Sequence, residues 1–139
     1  RAWKGQVYAI EKKEDALALL KENRRKFATD NLEIVSGTAP EAMVELPVPT
    51  HAFIGGSSGN MNEIIRLLLD KNPGVRIVIN CITLETVTEA MNVIRDFSLT
   101  DVDIVQLSAA RSKSIGRYHM MMGENPIYII SCSGRGEEI

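Results

Sequence analysis

The sequence predicts an α/β fold built on a mainly parallel sheet. Apolar runs of strand length alternate with helical periodicity along most of the 139 residues, which is the pattern of successive βα units. Near the C-terminus two strand-like runs follow with no helix between them, and such consecutive strands are most simply antiparallel. Hydrophobic residues make up 45% of the chain, so a buried core is expected. We therefore expect a single domain over residues 1–139.

The first half of the chain is expected to contain three strands that each lead into a helix. Residues 1–4 are expected to end a helix at Gly5, which suits the position after a helix terminus. The strands are expected at residues 6–10, 32–35 and 51–54, and the helices at residues 14–28, from Pro40 and after Asn60. In the helix at 14–28, Leu17, Leu20 and Phe27 share one face, which predicts that this face is buried.

The helix after Asn60 has a start signal and an apolar face. Asn60 is followed three residues later by Glu63, the spacing of a capping box. The apolar face is formed by Met61, Ile64, Ile65, Leu68 and Leu69. The segment at residues 72–74 (NPG) is expected to end the helix.

The second half is expected to add one more strand and helix, and then an antiparallel pair. A strand at residues 75–79 leads to Thr83, which is expected to cap a helix. The residues expected to face inward from that helix are Leu84, Val87, Met91 and Ile94. Strands are expected at residues 102–109 and 127–131, and they are separated by a long basic segment at residues 111–125.

Composition argues against several classes of function. The formal net charge is −2, so overall charge provides no attraction to nucleic acid or to an anionic membrane. Apolar runs are too short for a transmembrane helix. Cys81 and Cys132 lie in apolar runs and are expected to be buried small hydrophobes, which favours a cytoplasmic setting. His51 and His119 are the only histidines, and no metal site is predicted.

Two of the predicted strand ends suit a nucleoside. In open α/β sheets ligands bind at the carboxyl ends of strands. Glu11 ends the first strand and can accept hydrogen bonds from a ribose diol, although a solvated acid in a charged turn is an equal reading. Gly37, Thr38 and Ala39 end the second strand, where small residues would let an adenine ring approach the backbone. For these three residues alone, an ordinary tight turn is the favoured reading.

The third strand ends in a glycine-rich turn. Gly55, Gly56 and Gly59 leave backbone N–H groups free before a helix, a place suited to an anion or a closely packed cofactor. No lysine follows the last glycine, so the turn is not a P-loop. A flexible turn is the alternative, but so short a turn rarely needs three glycines.

The basic segment concentrates positive charge on a slightly acidic chain. The residues of interest in this segment are Arg111, Lys113, Arg117, Tyr118 and His119. A solvated hairpin loop is the better interpretation for any one of them, because one exposed ion pair contributes only about 0–1 kcal/mol. As a group, however, they could select a polyanion.

Four segments resemble a known enzyme family. They are residues 52–60 (AFIGGSSGN), 80–85 (NCITLE) and 116–120 (GRYHM), and the strand that begins after Asn125-Pro126. Together they resemble the decarboxylating precorrin-6B methyltransferases and their cobalt-precorrin counterparts, which occur alone or as the C-terminal half of a precorrin-6Y C5,15-methyltransferase. The resemblance covers essentially the whole chain in order. It implies a class I, Rossmann-like methyltransferase: a three-layer α/β sandwich with a C-terminal antiparallel hairpin.

The resemblance also implies a reaction and a distribution of roles. The enzyme would transfer a methyl group from S-adenosylmethionine to a meso carbon of a tetrapyrrole, the precorrin or cobalt-precorrin, as an acetate side chain loses carbon dioxide in cobalamin biosynthesis. Glu11, Gly37, Thr38, Ala39, Gly55 and Gly56 would bind the cofactor. Ser57, Asn80, Arg111, Lys113 and Arg117 would bind the polycarboxylate substrate, and Tyr118 or His119 would be the candidates for a proton step. The family resemblance also favours a homo-oligomer.

Two departures from the family pattern affect cofactor binding. At the position of Thr38 the family usually has an acid, and the carboxylate of that acid contacts the adenine amino group. Its first strand and glycine-rich loop would precede Arg1, and that strand normally lies between the strands ending at Glu11 and Gly55. We therefore expect a truncated product that binds the cofactor weakly or not at all, unless another chain fills the gap. Another class I methyltransferase, a nicotinamide-dependent oxidoreductase and an inactive fragment remain the alternatives.

Overall fold

A computed structural model describes residues 4–56 and 59–136, and these residues fall into two compact units. The first unit spans Arg1–Pro47 and the second Val48–Ile139. Most of the helix end expected at residues 1–4, and the candidate residue Ser57, lie outside the described residues. Each unit is described here by itself.

The first unit is a parallel βαβ arrangement. Strand β1 (Val7–Glu11) leads through helix α1 (Glu14–Lys26) to strand β2 (Leu32–Ser36). The two strands pair in parallel from Val7 opposite Leu32 to Glu11 opposite Ser36. A single 3₁₀ turn at Glu41–Met43 follows, where a helix from Pro40 was expected. The order and type of the first elements are therefore confirmed, with boundaries that differ by one or two residues.

Helix α1 is less buried than its apolar spacing predicts. Leu17 and Leu20 are half-buried, whereas Phe27 is 62% exposed. The helix ends at Lys26, so Phe27 occupies the C-cap position and no longer follows the helical face. The inclusion of Phe27 in the buried face was therefore wrong.

The second unit is a mixed four-stranded sheet with two helices. Its strands are β3 (His51–Ile54), β4 (Arg76–Cys81), β5 (Thr100–Leu107) and β8 (Ile127–Ser133), in the spatial order β3-β4-β8-β5. Strands β3 and β4 are parallel, and β8 is antiparallel to both of its neighbours, as predicted for the last pair. Helices α2 (Met61–Lys71) and α3 (Leu84–Asp96) follow β3 and β4 respectively.

The core of the second unit lies between the sheet and the two helices. Alternate residues of β4 and β8 point into it, as the two-residue period of a strand requires. The largest fully buried side chains are Met61, Ile65, Val75, Ile77, Ile79, Cys81, Ile130 and Cys132. Both cysteines are free and buried, which confirms that they act as small hydrophobes. Four of the five residues predicted for the face of α2 are buried, and Leu69 is half-buried.

The buried face of α3 differs from the predicted one. Thr83 caps the helix as expected, because its hydroxyl accepts a hydrogen bond from the Thr86 backbone N–H at 3.1 Å. Leu84 and Met91, however, are 72% and 42% exposed, and the buried residues are Ala90 and Val93. The inward face of α3 is therefore centred on Ala90 and Val93, and Leu84, as the first residue of the helix, lies at its end.

The basic segment forms a second hairpin. Strands β6 (Ala110–Ile115) and β7 (Tyr118–Gly123) pair antiparallel across the turn at Gly116, whose φ is +60°. Every residue of both strands is exposed. Across residues 4–56 and 59–136, no helix is both long and apolar enough to cross a membrane.

Candidate functional site

The carboxylate of Glu11 is fixed at the carboxyl end of β1. Its Oε1 accepts hydrogen bonds from the backbone N–H groups of Lys12 (2.9 Å) and Lys13 (3.0 Å). These backbone hydrogen bonds, aided by the charges of the same two lysines, lower the pKa of Glu11 from its ordinary value of 4.5. The side chain is therefore an ionised, oriented acceptor, which is what recognition of a ribose diol requires.

The turn at Gly37 is hydrogen-bonded to the same strand end. The Gly37 backbone N–H donates to the carbonyl oxygen of Glu11 at 3.0 Å, so the ends of β1 and β2 are adjacent, as predicted. Gly37 has a φ of +153°, and a Cβ added there would lie 3.0 Å from the Cβ of Ala42. Thr38 is exposed and Ala39 half-buried beside it. The space beside Gly37 is therefore filled by Ala42, which together with the positive φ favours glycine at this position.

The second unit has its own pair of strand ends. Ile54 of β3 pairs with Ile79 of β4 in parallel, so Gly55 and Asn80 are the next residues along neighbouring strands. Both candidate residues therefore occupy the same edge of the sheet. The structure brings together the glycine-rich turn and Asn80, as the order of the elements predicts.

Asn80 carries an unsatisfied polar atom at this edge. Its Oδ1 is buried and has no hydrogen-bond partner among the described residues. Buried polar atoms of this kind are rare in folded proteins, and each calls for a physical explanation. An acceptor that the fold leaves without a donor, at the carboxyl end of a strand, suits a ligand that supplies an N–H or O–H group.

The glycines of the turn after β3 differ in how tightly they are surrounded. A Cβ at Gly55 would lie 3.3 Å from Cε1 of Phe53, whereas one at Gly56 would have no atom within 4 Å. Gly59 has a φ of +87°, so its conformation favours glycine even though the space around it is open. Packing within the described residues therefore does not require glycine at position 56.

The start of α2 is capped from another helix. Asn60 occupies the N-cap position, but its side chain accepts no hydrogen bond from the helix, so the predicted capping box with Glu63 was wrong. Instead, Oε1 of Glu89 on α3 accepts from the backbone N–H of Met61 at 3.2 Å. Sequence analysis missed Glu89, because it lies 28 residues away and has no local signature.

The basic hairpin begins at the same edge of the sheet as Asn80. Leu107 at the end of β5 pairs with Ile127 at the start of β8, and Tyr128 pairs with Cys81 at the end of β4. The Glu124 N–H donates to the Ala109 carbonyl at 2.9 Å, which closes the base of the hairpin. Residues 108–126 therefore leave the sheet where β3 and β4 end.

The residues of the hairpin are divided between its two faces. Cross-strand partners share a face, so Arg111, Lys113 and Tyr118 lie together through the pairs Arg111–Met122, Lys113–Met120 and Ile115–Tyr118. His119 pairs with Ser114 and lies on the opposite face. Tyr118 and His119 thus point to opposite sides of the hairpin. Arg117 occupies the connecting turn, beside Gly116.

The candidate residues therefore form one group in each unit. Glu11, Gly37, Thr38 and Ala39 belong to the first unit, and Gly55, Gly56, Asn80 and the hairpin residues to the second. A shallow apolar concavity in the first unit lies apart from its group, because it is lined by α1 and the amino end of β2, including Leu20, Phe27 and Leu32. In the part of the chain that the structure describes, no three His, Cys, Asp or Glu side chains are grouped so that they could hold a metal ion.

Comparison with known proteins identifies the family. The model of the precorrin methyltransferase domain matches residues 1–133. The chain belongs to this family. The resemblance found in the sequence is thereby confirmed, and the family model extends across both units of the structure.

Individual relatives agree with the family assignment. A protein of Methanothermobacter thermautotrophicus, named "Probable cobalt-precorrin-6B C(15)-methyltransferase (decarboxylating)", is 39% identical over 126 residues, covering 89% of this chain and 65% of that protein. The crystal structure of precorrin-6Y C5,15-methyltransferase from Geobacter metallireducens is 33% identical, with a TM-score of 0.82, and the match covers 93% of this chain and 68% of that one. The chain thus spans about two-thirds of the length of these family members.

A more distant structure shares the fold alone. The SAM-dependent O-methyltransferase of Thermotoga maritima is 16% identical, with a TM-score of 0.69, and the match covers 97% of this chain and 52% of that one. The fold class predicted from the sequence, a Rossmann-like class I methyltransferase, is therefore confirmed by the structural neighbours.

Proposed function

We propose that the protein takes part in S-adenosylmethionine-dependent methylation of a meso carbon of a precorrin or cobalt-precorrin, with decarboxylation of an acetate side chain. The name of the relative from Methanothermobacter thermautotrophicus gives C(15) methylation of cobalt-precorrin-6B with decarboxylation, and this supports the proposal. The observation that carries the proposal is the match of the precorrin methyltransferase domain to residues 1–133. We further propose that residues 1–139 act as one domain, since that match is continuous across both units, and that the protein is cytoplasmic.

The proposed cofactor group fits the residues at the two strand ends of the first unit. S-adenosylmethionine, when bound, supplies a methyl group already activated on a sulfonium. Glu11 would accept hydrogen bonds from the ribose through Oε2, since Oε1 is occupied by two backbone N–H groups. Gly37, Thr38 and Ala39 would border the adenine. In the second unit, Gly55 and Gly56 would contact the cofactor near the sulfonium, where the open space around Gly56 leaves room for close approach.

The proposed substrate group lies at one edge of the second unit. The Oδ1 of Asn80 would accept a hydrogen bond from an N–H or O–H group of the bound macrocycle. Arg111, Lys113 and Arg117 would orient the peripheral carboxylates, because residues 110–123 contain three cations and no acid. Ser57 is proposed for the same side. Orientation of reacting groups alone can contribute roughly 7–11 kcal/mol to catalysis, so a methyl transfer of this kind needs no catalytic triad.

Tyr118 and His119 become alternative candidates for a proton step. Because they point to opposite faces of the hairpin, one substrate pose would place only one of them next to the reacting carbon. Tyr118 shares its face with Arg111 and Lys113, so we favour Tyr118. Comparing the pH profiles of Tyr118→Phe and His119→Gln would assign the role.

The direct experiment is a methylation assay with purified protein, S-adenosylmethionine and a cobalt-precorrin-6B substrate. Mass spectrometry of the product should show the gain of one methyl group and the loss of one carbon dioxide. An isotopically labelled methyl donor would confirm the source of the carbon. Turnover with a nicotinamide cofactor in place of the methyl donor would instead support the oxidoreductase alternative, because Glu11 alone does not discriminate between the two nucleosides.

A homo-oligomer is proposed on separate grounds. Nine exposed large apolar residues belong to β5, β6 and β7, which follow one another in the chain: Val102, Ile104, Val105, Leu107, Ile115, Tyr118, Met120, Met121 and Met122. β5 is an edge strand of eight residues that carries Asp101 and Asp103, and the hairpin carries only positive charge. A second copy would offer complementary charge to both elements and cover the apolar surface.

Sedimentation velocity tests the proposed self-association. Met121 is 66% exposed, and Met121→Asp should yield monomers at a protein concentration where the unmodified chain associates. Leu19→Asp is the matched control, since Leu19 is 58% exposed on α1 of the other unit. A chain that stays monomeric at about 100 µM would contradict the proposal.

A further inference from the structure

We infer that Glu89 is a positioning residue that caps helix α2 and so holds the start of that helix, next to Gly59 and Asn60. The inference deepens the proposed function, because it concerns the turn whose glycines are proposed to contact the cofactor. Three observations support the inference: the cap at the start of α2, the position of Glu89 on α3, and the negative charge of the Glu89 carboxylate.

The first observation is that Glu89, and not the side chain of Asn60, caps helix α2. The first N–H groups of a helix have no partner within the helix and need an acceptor from elsewhere. Asn60, at the N-cap, does not supply one from its side chain, whereas Oε1 of Glu89 accepts from the Met61 N–H at 3.2 Å. Met61 itself is fully buried, and its hydrogen bond to Glu89 is part-buried. The start of α2 is therefore tied to α3.

The second observation is the position of Glu89 beside two strand ends. α2 follows β3, and α3 follows β4, so a contact between Glu89 and Met61 ties together the segments that continue from Gly55 and Asn80. Burial raises the pKa of the Cys81 thiol, and the negative charge of Glu89 raises it further. The hydrogen bond from Met61 to Glu89 thus joins the two helices that follow the candidate residues of this unit.

The third observation concerns which ligands the turn can accept. A helix N-terminus attracts anions, and the glycine-rich turn before α2 was a candidate anion site for that reason. The Glu89 carboxylate already occupies this position. A ligand phosphate or carboxylate is therefore not expected at the start of α2, whereas an uncharged or cationic group near Gly55 and Gly56 remains compatible with it.

Hydrogen–deuterium exchange of the protein without ligand tests the inference independently of catalysis. Glu89→Ala removes the acceptor, and Glu89→Asp keeps the charge but shortens the side chain by one methylene group. Both should speed exchange at Met61 and in the preceding turn by about tenfold. Glu89→Gln keeps an oxygen acceptor at the same reach and should change exchange by less than about threefold. Glu63→Ala is the matched control for the rejected capping box and should have no effect.

Titration of the same variants with S-adenosylhomocysteine separates this inference from the proposed function. If the unmodified chain binds, Glu89→Ala and Glu89→Asp should weaken binding about tenfold or more, and Glu89→Gln should restore most of the affinity. If the unmodified chain does not bind while the exchange pattern is as expected, the cofactor proposal fails and the positioning role stands. Unchanged exchange at Met61 in both Glu89→Ala and Glu89→Asp would overturn the inference, as would an effect of Glu63→Ala as large as theirs.

Discussion

The Gly37 backbone N–H donates to the carbonyl oxygen of Glu11 at 3.0 Å, and this hydrogen bond joins the ends of two parallel strands. The side chain of Glu11 is held on the other side by the N–H groups of Lys12 and Lys13. The ends of β1 and β2 thus hold a fixed carboxylate and the turn at Gly37 next to each other. A carboxylate that the backbone already orients reduces the reorganisation that binding requires.

We predict that replacing Glu11 weakens nucleoside binding while leaving the fold intact. Glu11→Gln keeps an oxygen that can accept from Lys12 and Lys13 but removes the charge, and S-adenosylhomocysteine affinity should fall about tenfold. Isothermal titration calorimetry measures the change, and Glu14→Gln, in the first turn of α1, is the control. An affinity unaffected by Glu11→Gln would remove Glu11 from the cofactor group.

The lowered pKa of Glu11 also fixes the expected pH dependence. Because the folded-state pKa is below 4.5, the contribution of Glu11 to stability is present above pH 4.5 and is lost as the pH falls through the lower folded value. Its carboxylate should therefore be ionised from about pH 8 down to about pH 5, and nucleoside affinity should be flat over that range. A side-chain carboxyl titration followed by NMR would locate the pKa, and a value above 4.5 would contradict the hydrogen-bonded geometry.

The turn at Gly37 should not tolerate a side chain. Gly37→Ala combines an unfavourable φ with a Cβ only 3.0 Å from that of Ala42, and we expect a loss of about 1–3 kcal/mol in the free energy of unfolding. Gly123→Ala is the control, since a Cβ at Gly123 would have no atom within 4 Å, and it should cost less than about 0.5 kcal/mol. Chemical denaturation compares the two, and equal effects would contradict the described turn.

Asn80 should matter for function more than for stability. Its buried Oδ1 has no partner in the described residues, so Asn80→Ala should change the free energy of unfolding by less than about 1 kcal/mol. Asn72→Ala is the contrasting variant, because Asn72 donates to the Pro49 carbonyl at 2.8 Å and accepts from the Gly74 N–H at 3.0 Å. That variant should cost about 1–3 kcal/mol. In the methylation assay Asn80→Ala should lower kcat/KM, and full activity would show that Asn80 contacts neither ligand.

The arginines of the hairpin should act on the macrocycle and not on the nucleoside. The double variant Arg111→Ala with Arg117→Ala should weaken binding of a polycarboxylate tetrapyrrole about tenfold and leave S-adenosylhomocysteine affinity unchanged. The double variant Lys21→Ala with Arg25→Ala removes the same charge from α1 and is the control. Equal loss of both affinities, or equal loss in the control, would contradict the division of roles.

Local patterns in the sequence predicted most of the elements and both strand-end groups. The alternation of apolar runs and helices located β1 to β4 and their helices, because those elements have strong periodicity and clear end signals. The sequence analysis predicts no strands at β6 and β7. Residues 110–115 nevertheless alternate small and basic side chains, and Gly116 marks a two-residue turn. The facing of Tyr118 and His119 could have been predicted once that hairpin was identified.

Contacts between residues that lie far apart along the chain could not be predicted from local sequence patterns. The Asn60–Glu63 spacing suggests a local cap, but Glu89 lies close enough in space to replace it, and no local pattern encodes that choice. The offset of the buried face of α3 towards Ala90 and Val93 likewise has no signature in the local pattern. The predicted convergence of Glu11, Gly37 and Gly55 on one crevice stays a prediction.

The most direct test of the account is a residue-resolved NMR titration of the isotope-labelled protein with S-adenosylhomocysteine and, in parallel, with NAD. The method detects weak binding and assigns it to individual backbone amides. The account predicts that the thioether nucleoside shifts the amide signals of Glu11, Gly37, Gly55 and Gly56, and that NAD has a smaller effect at the same concentration. Shifts at these residues with NAD and none with S-adenosylhomocysteine would contradict it.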